Sequence, residues 1–159
     1  MSEVLYRAAA EEDVEEILQV VRVGWPTGGP KAMEQRHGII GGKPWLDQQV
    51  AAVESSVRGN LDTTLVAEVE GRVAGWAVYT TNEDTLVGAV AYNAVHPDFR
   101  GRGIGTEIVR RALDKLREAG MRIAIAGTGM GDEHAPARAV YEKVGFLPLR
   151  ESVSYSMDL

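Results

Sequence analysis

Apolar positions along the 159-residue chain fall into two periods, and their alternation sketches the elements. Val14, Ile17, Leu18 and Val21 recur at three- and four-residue spacing, the stripe of an amphipathic helix, with Glu11, Glu12 and Asp13 at its positive end. Leu46, Val50, Val53 and Val57 predict a second helix, opened by Pro44 and stopped at Gly59-Asn60. Ile104, Ile108, Ala112 and Leu116 predict a third over Gly103–Ala119, and Ala135–Val144 reads as a fourth. Val4–Ala8, Thr63–Val69, Arg72–Thr80, Thr85–Val95 and Met121–Ala126 read as strands, with a hairpin turn at Glu70-Gly71. Leu147–Leu149 and Val153–Met157 read as two closing strands. Gly24–Pro44, with six glycines and three prolines, reads as a long loop.

The predicted order is β-α-α-β-β-β-α-β-α-β-β, one α+β domain over residues 1–159. Its sheet is mixed and mostly antiparallel, with six to seven strands and about four flanking helices. The length suits one core, and 45% apolar with 25% charged residues is a globular composition.

Charge and residue inventory then narrow the chemistry. A net charge of −6 argues against binding a nucleic-acid backbone. The absence of cysteine excludes disulfides, thiolate zinc sites and a cysteine nucleophile, and three histidines without ligand spacing leave no expected metal. The longest uncharged stretch, Thr85–Pro97, is too short for a bilayer, and the acidic N-terminal region lacks the apolar core of a secretory signal, so the chain reads as cytoplasmic.

Two segments carry chemistry. In Val95-His-Pro-Asp-Phe-Arg100-Gly-Arg-Gly-Ile-Gly105, a strand ends, Pro97 blocks its continuation, and a glycine-rich turn feeds a helix. Gly101, Gly103 and Gly105 allow close backbone approach, a helix start offers unpaired N–H groups to phosphate, and Arg100 and Arg102 add positive charge. A dinucleotide fingerprint would need glycine where Thr106 stands, and a P-loop ending at Gly42-Lys43 would need Ser or Thr in place of Pro44. The second segment, His134-Ala-Pro-Ala-Arg-Ala-Val-Tyr141-Glu-Lys-Val-Gly-Phe146, places a tyrosine on a short helix, where it can pack or donate a proton.

Arg-x-x-Gly-x-Gly at 100–105 after a strand ending Val-x-Pro, followed by Ala-x-x-x-Tyr-Glu-Lys-x-Gly-Phe at 137–146, resembles the GNAT family of N-acetyltransferases. The resemblance implies that Arg100, Gly101, Arg102, Gly103, Ile104, Gly105 and Thr106 hold the pyrophosphate of acetyl-CoA through their backbone. It implies that Val95, at a strand end splayed from 121–126, pairs with pantetheine, and that His134 stands where the family often has an asparagine contacting it. Tyr141 takes the place of the tyrosine that protonates the departing thiolate. The implied activity is acetyl transfer from acetyl-CoA to a primary amine of a small molecule or protein, by direct attack in a ternary complex. The alternative is a non-catalytic acyl-CoA-binding module. Base candidates are Glu68, Glu83, Asp84, His37 and His134, while Trp25 and Trp45 are candidate acceptor walls or core plugs. The Val153–Met157 edge offers a surface for a homodimer.

Overall fold

The computed structural model describes residues 2–25 and 29–159. A single five-stranded sheet runs in the order β1 (Leu5–Ala8), β2 (Thr64–Val69), β3 (Arg72–Thr80), β4 (Val87–Val95) and β5 (Ile123–Ala126). The first four strands pair antiparallel, and β5 joins β4 in parallel. Five α-helices accompany them: α1 (Val14–Gly24), α2 (Gly29–His37), α3 (Trp45–Arg58), α4 (Ile104–Glu118) and α5 (Ala135–Lys143).

The sheet separates two apolar layers. On one face Leu65, Ala67, Ala77, Tyr79 and Val90 meet Ile104, Ile108, Ala112 and Leu116 of α4, with Tyr141 of α5 beside them. On the other, Val66, Trp76 and Val78 meet Ile17 and Val21 of α1 and Val53 and Val57 of α3. The four-residue stripe of α4 is thus its buried face, and each large side chain there contributes about 1.5–3 kcal/mol by leaving water. Its opposite face carries Arg111 and Glu107 as a 2.9 Å ion pair. Gly88 makes room within this layer, since a Cβ there would run into the Leu116 side chain.

Three expectations are corrected. The stretch Gly24–Pro44 is not all loop, because α2 forms within it. The run Lys31–His37 contains no glycine or proline, Pro30 sits in the first turn where its missing N–H costs nothing, and Gly38, at φ +75°, ends the helix. The part of the stretch at residues 26–28 lies outside the described residues. Among the described residues the sheet has five strands rather than six or seven, because Leu147–Leu149 and Val153–Met157 form no ladder. A strand needs a neighbour and a face to bury; this tail has Val153, Tyr155 and Met157 exposed, and its side-chain bonds go to α2. Among the described residues there are five α-helices rather than about four, the extra one being α2.

Candidate active site

The site begins with one extra residue in β4. Register with β3 runs Tyr92↔Val78 and then Val90↔Tyr79, so Ala91 is a bulge without a partner. The bulge resets the alternation of the strand. Val90 faces the α4 layer, and beyond it Val95 also packs on that layer while Tyr92 and Ala94 join the α1/α3 layer. Asn93, between those two, is thereby turned toward α5. Pairing with β5 ends at Val90↔Ala126, and β4 continues to Val95 beyond it. The parting of the strands opens a cleft of about 760 Å³.

One wall of the cleft is the glycine turn. His96 N–H still bonds Ala74 O at 2.9 Å, after which Pro97 ends the ladder and Phe99 is buried. Gly101 and Gly103 hold φ of +76° and +77°, the left-handed region where a side chain is strained. Gly103 is the N-cap of α4 and supplies no side-chain cap, so the first-turn N–H groups have no intrahelical acceptor. Gly103, Ile104, Gly105 and Thr106 all line the cleft. A Cβ on Gly105 would sit 3.3 Å from Val95 Cγ2, so this glycine lets α4 press against the end of β4.

The two arginines of the turn differ. Arg100 donates from Nη2 to Gly24 O at 2.7 Å and from Nε to Val95 O at 3.4 Å, tying the end of α1 to the end of β4. Arg102 lies outside the cleft lining, with its guanidinium 5.2 Å from the centroid of Phe99.

The opposite wall is α5. Tyr141 is buried, its ring edge-on to Phe146 at 5.6 Å, and its hydroxyl accepts a hydrogen bond from Asn93 Nδ2 at 2.7 Å. Burial raises the phenol above its ordinary value, with the Asn93 bond pulling the other way, so it is a protonated hydroxyl at neutral pH. His134 precedes the helix, with Nδ1 3.3 Å from Thr128 Oγ1 and Nε2 3.7 Å from Glu133 Oε1. A Cβ on Gly129 would collide with the His134 ring, so glycine there sets where the imidazole lies. Arg138 fixes the same loop by donating to Gly129 O at 2.7 Å and Gly131 O at 2.9 Å.

Residues 29–146 match the acetyltransferase (GNAT) family. The chain belongs to this family. An acetyltransferase of Pectobacterium atrosepticum is 38% identical over 74 residues, which cover 46% of this chain and 50% of that protein; the chain thus spans about half the length of this curated relative. The fold is also that of a GNAT acetyltransferase from Brucella melitensis solved with acetyl-CoA, at TM-score 0.62 and 22% identity over 100% of this chain and 92% of that one. An aminoglycoside N-acetyltransferase solved with CoA has TM-score 0.68 and 17% identity, covering 100% of this chain and 97% of that chain. At such identities these structures speak for the fold.

Within this GNAT cleft, the sequence candidates separate. Tyr141, His134, Val95, Arg100, Gly101, Gly103, Ile104, Gly105 and Thr106 line it together with Trp25. Glu68 is engaged by Arg7 at 2.8 Å on the β1–β2 side, and Glu83 and Asp84 lie in the exposed turn before β4. His37 bonds Asp158 through Nδ1 at 2.6 Å and Ser156 through Nε2 at 2.9 Å. None of these four candidate bases lines the cleft. Trp25 stands edge-on to Trp76 and Tyr92, at 6.2 and 5.7 Å. Trp45 belongs elsewhere: its backbone N–H donates to Glu34 Oε2 at 2.6 Å, beside a separate cavity of about 800 Å³ lined by α2 and α3.

Sequence reasoning missed Asn93, Tyr92, Gln49, Glu133 and Lys143, all of which line the cleft. Asn93 left a signal, being the one side-chain amide in the otherwise apolar run Val87–Val95. Glu133 and Lys143 are ordinary charged positions beside helix ends, and only the turn of the chain brings them here.

Proposed function

We propose that this GNAT chain transfers an acetyl group from acetyl-CoA to a primary amine in a ternary complex, with Tyr141 as general acid. The observation that carries the reading is a protonated phenol, held by Asn93, in the gap where β4 leaves β5 and across from an uncapped helix start. The residues fit the donor. Positive φ at Gly101 and Gly103 and the open first turn of α4 suit a pyrophosphate held by backbone N–H groups through Thr106. Backbone groups of residues 91–95, beyond the reach of β5, suit the amide-bearing pantetheine arm, with His134 able to donate to it.

The donor supplies a thioester carbonyl; the amine nitrogen bonds its carbon, the C–S bond breaks, and the thiolate takes the Tyr141 proton. The phenol suits that task because burial keeps it protonated until a thiolate forms beside it. Of the cleft-lining groups, Glu133 and His134 are those able to accept the proton that the amine sheds. With no cysteine in the chain, direct attack needs no acyl-thioester on the enzyme. Trp25, Tyr92 and Gln49 line the α1/α3 side, and Glu133 is the one carboxylate among the described lining residues. That wall suits an apolar or aromatic monoamine better than a polycation, which would call for several carboxylates.

Calorimetric titration with acetyl-CoA and CoA tests the donor site, with Gly103→Asp as the control. Micromolar binding that is lost in the variant is expected, followed by amine-dependent thiol release with a panel of amines. No binding at about millimolar acetyl-CoA, near −4 kcal/mol, refutes the donor assignment. Binding with no thiol release from any amine leaves a non-catalytic acyl-CoA-binding module.

A further inference from the structure

Gln49 interrupts the apolar pattern of α3. The helix turns Leu46, Val50, Val53 and Val57 toward the layer that Val66, Trp76 and Val78 share. Position 49 lies three residues after Leu46 and four before Val53, beside that stripe, where an apolar side chain would gain by leaving water. A glutamine stands there instead, half-buried and lining the cleft. Its neighbour shows the ordinary use of such a side chain: Gln48 is exposed and donates to Lys43 O at 2.7 Å. Gln49 has no hydrogen-bond partner among the described residues. Ordering so long a side chain in a cleft costs rotamer entropy that no hydrogen bond within the chain offsets.

The surrounding wall has the same character. Trp25 and Tyr92 are half-buried and line the cleft, their rings edge-on at 5.7 Å. Neither the Trp25 indole N–H nor the Tyr92 hydroxyl has a hydrogen-bond partner among the described residues. Trp76 Nε1 is the one side-chain polar atom there that is both fully buried and unpartnered, so the polar ends of Gln49, Trp25 and Tyr92 stay reachable from solvent. All three are neutral. The charged groups of the lining, Arg100, Glu133 and Lys143, belong with His134 to the glycine turn and the α5 side. A ring therefore finds apolar surface on the α1/α3 side, and a neutral polar group finds both donors and acceptors. A second charge finds no counter-charge there.

We propose that the acceptor is an aromatic amine with a neutral hydrogen-bonding group, a hydroxyl or a carboxamide, at the end of the ring remote from the amine, and that Gln49 recognises this group. The inference rests on the reading of the chain as an acetyltransferase and adds no chemical step to it. The amine end reaches the thioester beside Tyr141, and the far end of the ring meets Gln49 along the Trp25 and Tyr92 wall. The glutamine amide suits either group, because Oε1 accepts from an O–H or N–H and Nε2 donates to a hydroxyl or carbonyl oxygen. An acceptor without the group would cover this amide and leave it unpaired, which is how a hydrogen-bonding site rejects a plain analogue.

The test compares phenethylamine with its para-hydroxyl and para-carboxamide derivatives, by calorimetry on the CoA-loaded full chain and by thiol release from acetyl-CoA. One added hydrogen bond is worth roughly five- to tenfold in affinity, so at least one substituted amine is expected to bind that much more tightly than phenethylamine, with kcat/KM following. In Gln49→Leu, and in the isosteric Gln49→Met, the preference should fall to within about twofold while the affinity for CoA stays at the parent value. A merely structural role for Gln49 would not move this ratio. Equal binding of all three amines by the parent chain, or binding of none, overturns the proposal, and so does a preference that survives in both variants. A preference that depends on Gln49 without thiol release from any amine upholds the recognition of ring and polar group and refutes the transfer reading instead.

Discussion

Replacing Tyr141 by phenylalanine isolates the chemistry from the packing. The ring keeps its edge-on contact with Phe146 and its buried place beside α4, and only the hydroxyl that accepts from Asn93 is lost. One such hydrogen bond is worth about 0.5–1.5 kcal/mol net. Asn93 faces the cleft and can turn its amide to water, which favours the low end of that range. At 2–4 °C per kcal/mol for a chain of this size, the melting temperature should fall by only a few degrees. Catalysis should suffer far more. Removing a positioned acid typically costs 10²–10⁴ in rate, about 3–5 kcal/mol of barrier. The assay is thiol release from acetyl-CoA in the presence of an accepted amine, read directly because the protein contributes no thiol of its own. Calorimetry of the same variant should return the parent affinity for CoA, since the loss lies in turnover. The pH profile adds a sign. The folded phenol titrates above its ordinary value of 10.0, so Tyr141's contribution to stability is fully present below pH 10 and is lost as the pH rises through the higher folded value. The phenylalanine variant lacks that alkaline loss. A kcat within about twofold of the parent, far below the range for a lost general acid, would show that the thiolate takes its proton from elsewhere.

Three further outcomes follow from other contacts. Gly129→Ala should displace the His134 ring, which occupies the space of the new Cβ, and raise the KM for acetyl-CoA about fivefold, the worth of one hydrogen bond of ~1 kcal/mol, with little change in melting temperature. Trp25→Ala should raise the KM for an aromatic amine by roughly tenfold, the effect of ~1.4 kcal/mol of apolar contact, and leave that for acetyl-CoA within twofold; an equal rise in both would move Trp25 out of the acceptor wall. The third concerns acid stability. Asp13 is buried, bonded by Arg7 at 2.6 and 2.8 Å and by the Ala10 N–H at 2.7 Å, and chiefly the Arg7 bonds hold its carboxyl below the ordinary 3.8. Its contribution is therefore present above pH 3.8 and lost as the pH falls through the lower folded value. Arg7→Met should cost roughly 2–3 kcal/mol at pH 7, less than the 3–5 of a fully buried pair because Arg7 is partly exposed, and denaturant melts at pH 7 and 3 should show the difference between the two chains shrinking in acid.

The parts of the fold legible in the sequence are those where one chain segment decides its own fate. The α4 stripe at 104, 108, 112 and 116 and the strand Arg72–Thr80 are written in local periodicity, and the structure keeps them within a residue. The glycine turn is legible because positive φ and close approach leave glycine in the sequence. Helix α2 is not, since Ala32 and Met33 give Gly29–His37 almost no apolar stripe. The tail shows the opposite failure: its alternation is that of a strand, but a strand also needs a neighbour, and no local pattern says whether that neighbour is in the same chain. Trp45 and Trp25 look equivalent in sequence, and only the path of the chain puts Trp25 in the cleft lining and leaves Trp45 out of it.

The bulge at Ala91 is the least legible feature and has the largest consequence. Apolar residues fill the run from Val87 to Tyr92 on both parities, so no alternation marks where a residue is inserted. Without the insertion, strand geometry would keep Val90, Tyr92 and Ala94 on one face, the α4 side, and Asn93 would point into the α1/α3 layer. Tyr141 would then lose its partner and gain a tyrosine ring in its place, while Trp25 would lose the edge-on contact with Tyr92 that builds the opposite wall. A single unpaired residue thus assigns the amide to Tyr141, the proposed acid, and the aromatic ring to Trp25, on the proposed acceptor side. It does so at the point where β4 outruns β5 and its backbone is open to a ligand. The family motifs surround this point without containing it, which is why the motif identified the family and only the backbone register shows how Asn93 and Tyr141 meet.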